Sequence, residues 1–165
     1  MWLFRGGPAA WVGLAGRLFL GYTFVTAGFD KLPHHATTEQ AVRSYQLLPW
    51  QWVPAYASIQ PALEIVIGIA LILGLFTRSA AVLAALGLCS FLVGISAAWI
   101  RGMNIDCGCF GGAGATTDPH YAEHMLRDAG YLAIAVYLVV VRRTTVSANE
   151  VVFPPAVTEE QELAA

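Results

Sequence analysis

Residues 80–100, AAVLAALGLCSFLVGISAAWI, contain no charged side chain and are predominantly apolar. A helix of this length extends about 30 Å, which is the thickness of the hydrocarbon core of a bilayer. Only 12% of the whole chain is charged, about half the usual share in a soluble domain. The segment therefore predicts a membrane-spanning helix, and the lipid bilayer is the first expected partner of the chain.

Three further helices are predicted, over residues 10–29, 59–76 and 119–143. The first contains Arg17, which we expect to extend along the helix to the nearer membrane interface. The last follows Asp118-Pro119, a pair typical of a helix N-terminus. The predicted fold is all-α, a polytopic membrane protein with a four-transmembrane-helix bundle over residues 1–143. Residues 144–165 are acidic, contain proline and lack periodicity, which predicts a disordered cytoplasmic tail.

The distribution of basic residues predicts the orientation of this bundle. With four spans, the side that holds both termini carries five Lys or Arg residues and the opposite side carries four. The positive-inside rule then favours a multi-pass protein of the cell membrane with both termini in the cytoplasm. The connections at residues 30–58 and 101–118 would lie outside the cytoplasm. A net charge of −2 provides no basic face for nucleic acid, so nucleic-acid binding is excluded.

The stretch Ile105–Gly112, IDCGCFGG, places Cys107 and Cys109 one residue apart. Thiolates are the nucleophiles of disulfide exchange, and Gly108 gives the backbone the freedom that a disulfide between such close residues requires. A strained bond of this kind is easily reduced, which favours a redox relay over a structural disulfide. The alternative is a pair of ordinary thiols in a loop. The third cysteine, Cys89, is predicted to be a small packing residue within its helix.

A second interpretation of the same region is a metal site. Cys107 and Cys109, together with His120 and His124, supply four ligands of the types that bind zinc or copper. The two histidines are one helical turn apart. The cysteines, however, are closer together than the usual spacing of two to four intervening residues.

Glu64 is an acidic residue close to the predicted beginning of the second span. Such a residue is costly in a membrane unless it is paired or hydrated, and Lys31 and Arg101 are the candidate partners. We expect a structural ion pair near the membrane interface, with a role facing a quinone as the alternative.

Two other patterns predict packing. Ser90, Gly94 and Ala98 recur every four residues, a spacing that lets helices approach closely. Aromatic side chains in the first outer connection predict a belt at the membrane interface; they are Tyr45, Trp50, Trp52 and Tyr56.

Three stretches, taken together and in this order, resemble the DoxX/MauE family of small membrane proteins. They are RLFLGYTFVTAGFDKL, SYQLLPWQWVPAYASIQPALEIVIGIALILGLFTRSAA and RGMNIDCGCFGG. The resemblance runs from about residue 17 to residue 141. The first two stretches are similar to the wider DoxX-like group, and the CGCFG box is the part that resembles the MauE branch.

The resemblance implies a four-helix membrane protein linked to redox processes and, in the MauE branch, an auxiliary to disulfide formation during maturation of methylamine dehydrogenase. Cys107 and Cys109 would be the redox pair and Glu64 the acid of the second-helix motif. Gly108, Phe110 and Gly111 would form the loop around the cysteines. The methylamine pathway itself is not indicated by any residue.

These observations combine into one functional prediction. The chain is a membrane thiol–disulfide redox protein in which the Cys107/Cys109 disulfide exchanges with an extracytoplasmic thioredoxin-like partner, with Glu64 and Arg101 in supporting roles. By analogy with other membrane disulfide generators, a membrane quinone is the candidate electron acceptor, although the sequence shows no quinone motif. No covalently bound cofactor is expected. The alternatives are a non-enzymatic subunit that scaffolds a membrane redox complex and the zinc or copper protein described above.

Overall fold

The computed structural model describes residues 8–105 and 120–140, which form helices joined by turns and contain no strand. The redox pair Cys107/Cys109, the loop residues Gly108, Phe110 and Gly111, and the predicted tail at 144–165 lie outside the described residues. The α-helices are α1 (Pro8–Lys31), α2 (His35–Ser44), α3 (Val53–Leu73), α4 (Thr77–Ile100) and α5 (Tyr121–Val140). Short 3₁₀ turns at Leu32–His34 and Trp50–Trp52 connect α1 to α2 and lead into α3.

The helix predicted from residue 59 begins earlier, at Val53. Pro54 lies in its first turn, where the missing N–H leaves no helical bond unmade. The helix also continues through Pro61. This extension corrects the position expected for Glu64, which lies near the middle of α3 rather than at its beginning. The amphipathic helix α2, which buries Thr38 and Ala41, was not predicted.

The four long helices form an antiparallel arrangement in which α1 packs mainly on α3 and α4 packs mainly on α5. Phe19 of α1 makes an edge-to-face contact with Tyr131 of α5, with the ring centroids 5.8 Å apart. The main apolar core is built by side chains from all four helices, and it includes Leu20, Phe24, Leu71, Ala84, Leu88, Ala135 and Leu138. We call the end of the bundle where α1 ends, α3 begins, α4 ends and α5 begins the cysteine end.

Three segments are long and apolar enough to cross a membrane, among the residues that the structure describes. They are Ala10–Ser44, Trp50–Leu73 and Thr77–Ile100. The fourth predicted span corresponds to α5, which carries Glu123, Arg127 and Asp128 in its first half. The all-helical membrane fold is confirmed, while the count of four spans stays a prediction.

Two of the packing expectations are wrong. Arg17 does not extend along α1 to an interface, because its side chain is only 2% exposed and lies inside the bundle. Cys89 lies on the exposed side of α4 as a free thiol, so it is not a core packing residue. Both errors arise because the sequence shows that a helix is apolar on all sides but not which side faces the other helices.

The closest helix contact involves glycines that the sequence analysis did not select. A Cβ atom added at Gly68 would lie 2.7 Å from the carbonyl oxygen of Gly21, and one added at Gly28 would lie 2.7 Å from that of Pro61. The backbones of α1 and α3 therefore touch along one seam, as small residues allow in membrane bundles. At Gly94, in the predicted small-residue stripe, an added Cβ would meet only the Tyr45 ring, at 3.6 Å.

We expect Gly68→Ala to separate α1 from α3 and to lower the free energy of unfolding by about 1–3 kcal/mol, the usual range for overpacking. Gly130→Ala is the matched control, because an added Cβ at this exposed helical glycine meets nothing within 4 Å. Both changes raise helix propensity equally, so only the contact differs. Thermal unfolding of the two purified variants in the same detergent measures the difference, and equal midpoints would contradict the close seam.

Candidate functional site

The residues that precede the cysteine segment are anchored by the side chain of Tyr121. Its hydroxyl donates a hydrogen bond to the carbonyl oxygen of Met103 and accepts one from the N–H of Ile105 at 3.2 Å. The Tyr121 ring also stacks on Trp99, with the centroids 6.2 Å apart. Ile105, two residues before Cys107, is thereby held against the first turn of α5.

A small apolar cluster surrounds this anchor. Ile95, Ala98, Ile105 and Tyr121 are all buried in it, and Tyr45 packs against them. Arg101 donates a hydrogen bond to the carbonyl oxygen of Tyr45 at 3.1 Å. Arg101 therefore fixes the turn after α2. Of the two candidate partners of Glu64, the one that forms the ion pair is Lys31.

Glu64 pairs with Lys31 inside the bundle. The Lys31 ammonium donates to both carboxylate oxygens, at 2.7 and 2.8 Å, and the two side chains are 3% and 7% exposed. The Gln60 amide donates to the same carboxylate at 3.1 Å. The Lys31 nitrogen also lies 5.6 Å from the centroid of the Phe91 ring. The predicted ion pair exists, but it lies within the protein rather than at a hydrated helix end.

A cavity of about 230 Å³ lies beside this pair, between α2, α3 and α4. We call it the α2 cavity. Its lining is predominantly apolar, and it includes Lys31, Ala41, Tyr45, Leu48, Gly94 and Ile95. Since Tyr45 and Ile95 also belong to the cluster around Tyr121, the cavity and the anchor of the cysteine segment share a wall.

A second cavity of about 220 Å³, the α3–α4 cavity, adjoins the first. Tyr56, Gln60, Ser90 and Phe91 line both cavities. The other side of the α3–α4 cavity is formed by apolar residues that face outward from the bundle, namely Ile59, Leu63 and Leu83. Three polar side chains, Tyr56, Gln60 and Ser90, thus lie where the two cavities meet, and Glu64 also lines the α3–α4 cavity. The outward-facing apolar residues lie towards the lipid-facing surface.

A third, smaller cavity of about 30 Å³ is lined by Lys31, Glu64, Arg127 and Asp128. Asp128 is 3% exposed, and Arg127 donates a hydrogen bond to its Oδ1 at 3.1 Å. Its Oδ2 is buried without a hydrogen-bond partner among the described residues. The volume suits one water molecule, which would satisfy this oxygen. Two acidic and two basic side chains therefore line one small cavity, together with apolar residues of α1, α4 and α5.

The histidines at the cysteine end do not form a metal site by themselves. His34 contacts the carbonyl oxygen of Asp30 at 3.0 Å, and His35 contacts the Ser58 hydroxyl at 2.8 Å. No group of three or more His, Cys, Asp or Glu side chains placed to hold a metal occurs within residues 8–105 and 120–140. The zinc or copper set also requires Cys107 and Cys109, outside these ranges, and stays a prediction.

The aromatic residues predicted to form a belt divide into two pairs. Trp50 and Trp52 are 70% and 60% exposed, and the Arg43 guanidinium lies 4.3 Å from the centroid of the Trp50 ring. Tyr45 and Tyr56 instead line the α2 cavity. The sequence alone predicts only an interfacial position for both tyrosines, because it does not reveal α2, which lines the same cavity.

A comparison with protein-family models supplies the identification. The model described as methylamine utilisation protein MauE matches residues 9–141, which contain every described helix except the first residue of α1. The chain belongs to the MauE family. No curated protein and no solved structure matches the chain significantly.

Membership of the MauE family confirms the MauE part of the resemblance and, with the apolar helices, a membrane protein. The resemblance to the wider DoxX group stays a prediction, as does the importance of the CGCFG box. The matched range includes the segment that contains Cys107 and Cys109 as well as the buried ion pair.

Proposed function

We propose that this MauE-family protein is a membrane thiol–disulfide redox protein that oxidises a thioredoxin-like partner outside the cytoplasm through Cys107 and Cys109. The observation that carries the proposal is the anchor at Tyr121. It holds Ile105 in the apolar cluster that shares Tyr45 and Ile95 with the wall of the α2 cavity, and two residues of chain extend at most about 7 Å. The cysteines therefore follow closely after residues that share a wall with the α2 cavity.

The proposed exchange begins when a partner thiolate attacks one sulfur of the Cys107–Cys109 disulfide and the other sulfur leaves as a thiolate. The second partner thiol then attacks the mixed disulfide. The partner is left with a disulfide and the pair with two thiols, so two electrons have moved to this protein.

Reoxidation of the two thiols releases two electrons and two protons. A membrane quinone, when bound, supplies an acceptor for both. Oxidation of the partner is favoured over outward reduction because electrons from the cytoplasm would need an additional cysteine pair, and Cys89 is the only other cysteine in the sequence.

The proposed topology follows from this chemistry and from the positive-inside rule. Four spans, with α5 as the fourth, place both termini in the cytoplasm and the cysteine end outside it. The exposed Trp50 and Trp52 suit the interface at that outer end.

Thiol trapping in intact cells tests the proposal. In a Cys89→Ala background, we expect a bulky membrane-impermeant maleimide to add no mass until the cells are treated with a reductant. It should then add two labels, at Cys107 and Cys109. Protection before reduction reports the disulfide, and labelling from outside reports the topology.

The alternative functions predict different labelling. Two labels without a reductant would indicate a resting dithiol, which contradicts the oxidising role and favours outward reduction or a scaffold. Labelling that requires a chelator instead of a reductant would indicate the metal site.

A further inference from the structure

We propose that the α2 cavity binds the ring of a lipid-soluble quinone and that the Lys31 ammonium donates a hydrogen bond to a ring carbonyl. The role of this site in electron transfer rests on the proposed function, whereas quinone binding at the site does not.

The size and polarity of the cavity limit the ligand. Pockets that enclose whole drug-sized molecules measure about 300–1,000 Å³, so a volume of about 230 Å³ suits a single substituted ring. The lining is predominantly apolar, and Lys31 is the only charged residue among the described residues that form it. Since Glu64 already neutralises this charge, the cavity favours an uncharged ligand with a hydrogen-bond acceptor.

The Lys31 ammonium has a hydrogen-bond donor available for a ligand. Its ammonium group carries three N–H bonds, and the two bonds to Glu64 use two of them. The side chain lines the α2 cavity, where a carbonyl oxygen would accept the third. Tyr56 and Gln60 add a hydroxyl and an amide where the two cavities meet.

The route into the cavity indicates a ligand that arrives from the membrane. The α3–α4 cavity adjoins the α2 cavity. Its outer residues Ile59, Leu63 and Leu83 are 57%, 53% and 52% exposed on helices that are long and apolar enough to span a membrane. An apolar tail can occupy this second cavity while the ring occupies the first.

The position of the cavity also suits electron transfer from the cysteines. Tyr45 and Ile95 line the α2 cavity and pack in the cluster that holds Ile105. A quinone bound there would accept two electrons and two protons from the Cys107/Cys109 dithiol. The products are a quinol and the disulfide, so the step is balanced.

Direct binding tests the site with a matched pair of variants. Gly94 lines the α2 cavity, and its first added carbon makes only an ordinary contact with Tyr45, so Gly94→Leu should fill the cavity without opening the bundle. Gly130→Leu places the same side chain on an exposed face with nothing within 4 Å of its Cβ. The probe is decylubiquinone, titrated by calorimetry into the full chain in nanodiscs.

We expect the unmodified protein and Gly130→Leu to bind decylubiquinone with the same Kd, and Gly94→Leu to bind at least tenfold more weakly. Equal affinity of all three proteins, or no binding to the unmodified protein, would overturn the inference. In case Gly94→Leu fails to fold, photolabelling of the unmodified protein with an azidoquinone locates the ring independently. Labels on Tyr45 or Tyr56 would support the site, and labels confined to other surfaces would overturn it.

A third variant separates this inference from the proposed function. Cys107→Ser with Cys109→Ser should bind decylubiquinone as the unmodified protein does, because the groups proposed to bind the ring, led by Lys31, belong to the described helices. Loss of binding in this variant would overturn the assignment to the α2 cavity. Thiol trapping in cells tests the disulfide without reference to quinone. The proposed disulfide exchange and the proposed quinone site can therefore fail independently.

Discussion

Replacing both Cys107 and Cys109 by serine is expected to abolish disulfide exchange with a reduced thioredoxin-like protein. The expected oxidation rate is the uncatalysed background, since a serine hydroxyl cannot form or accept a disulfide. The measurement combines purified protein in nanodiscs with a reduced dithiol protein and decylubiquinone, and follows the loss of free thiols. Circular dichroism should be unchanged, since the described helix contacts involve neither cysteine.

The control for this experiment is Cys89→Ser, which removes a thiol from the exposed side of α4 and should leave the rate unchanged. A double variant that exchanges at the original rate would exclude the redox pair and favour the scaffold. A Cys89→Ser variant that loses activity would show that the exposed thiol takes part.

The second large effect is expected at the buried ion pair. Glu64→Leu removes the carboxylate and leaves the Lys31 ammonium, which is 3% exposed, without its counter-charge. Breaking a buried pair by removing one partner costs about 3–5 kcal/mol. We therefore expect a large fall in the thermal midpoint in detergent, or a failure to accumulate in the membrane.

Two comparisons show whether the unpaired charge causes this loss. The double variant Lys31→Met with Glu64→Leu removes both charges and should recover most of the stability. Glu39→Ala breaks the pair with Arg43 on α2, whose side chains are 20% and 38% exposed, and should cost less than about 1 kcal/mol. A double variant as unstable as Glu64→Leu would show that the carboxylate has a role besides neutralising Lys31.

The sequence predicts the position of a helix correctly where the residues of that helix alone determine it. The uncharged run at residues 80–100 lies within α4, and the first predicted helix agrees with α1 to within two residues at each end. The prediction failed for α3, since Pro54 was not recognised as a first-turn residue. The position of Glu64 was wrong for the same reason, even though Lys31 was correctly named as a candidate partner.

The site was harder to predict because it depends on contacts between distant segments. Lys31 and Tyr45 lie on the same cavity as Gly94, yet the sequence separates them widely and no spacing rule links them. The buried position of Arg17 and the exposed position of Cys89 also depend on which face of each helix meets its neighbours. A sequence reveals the packed face of a helix only when the opposite face carries polar residues. In this protein the opposite face contacts lipid instead of water, so it is apolar as well.

The clamp formed by Tyr121 has a consequence for how this region can change. Because the Tyr121 hydroxyl bonds Met103 and Ile105, the described residues on the two sides of positions 106–119 are joined directly to each other. The entropic contribution to the free energy of closing a loop grows slowly, by about 0.6 kcal/mol for each doubling of the loop length. We therefore expect the packing of Met103 and Ile105 on α5 to tolerate substitutions within residues 106–119.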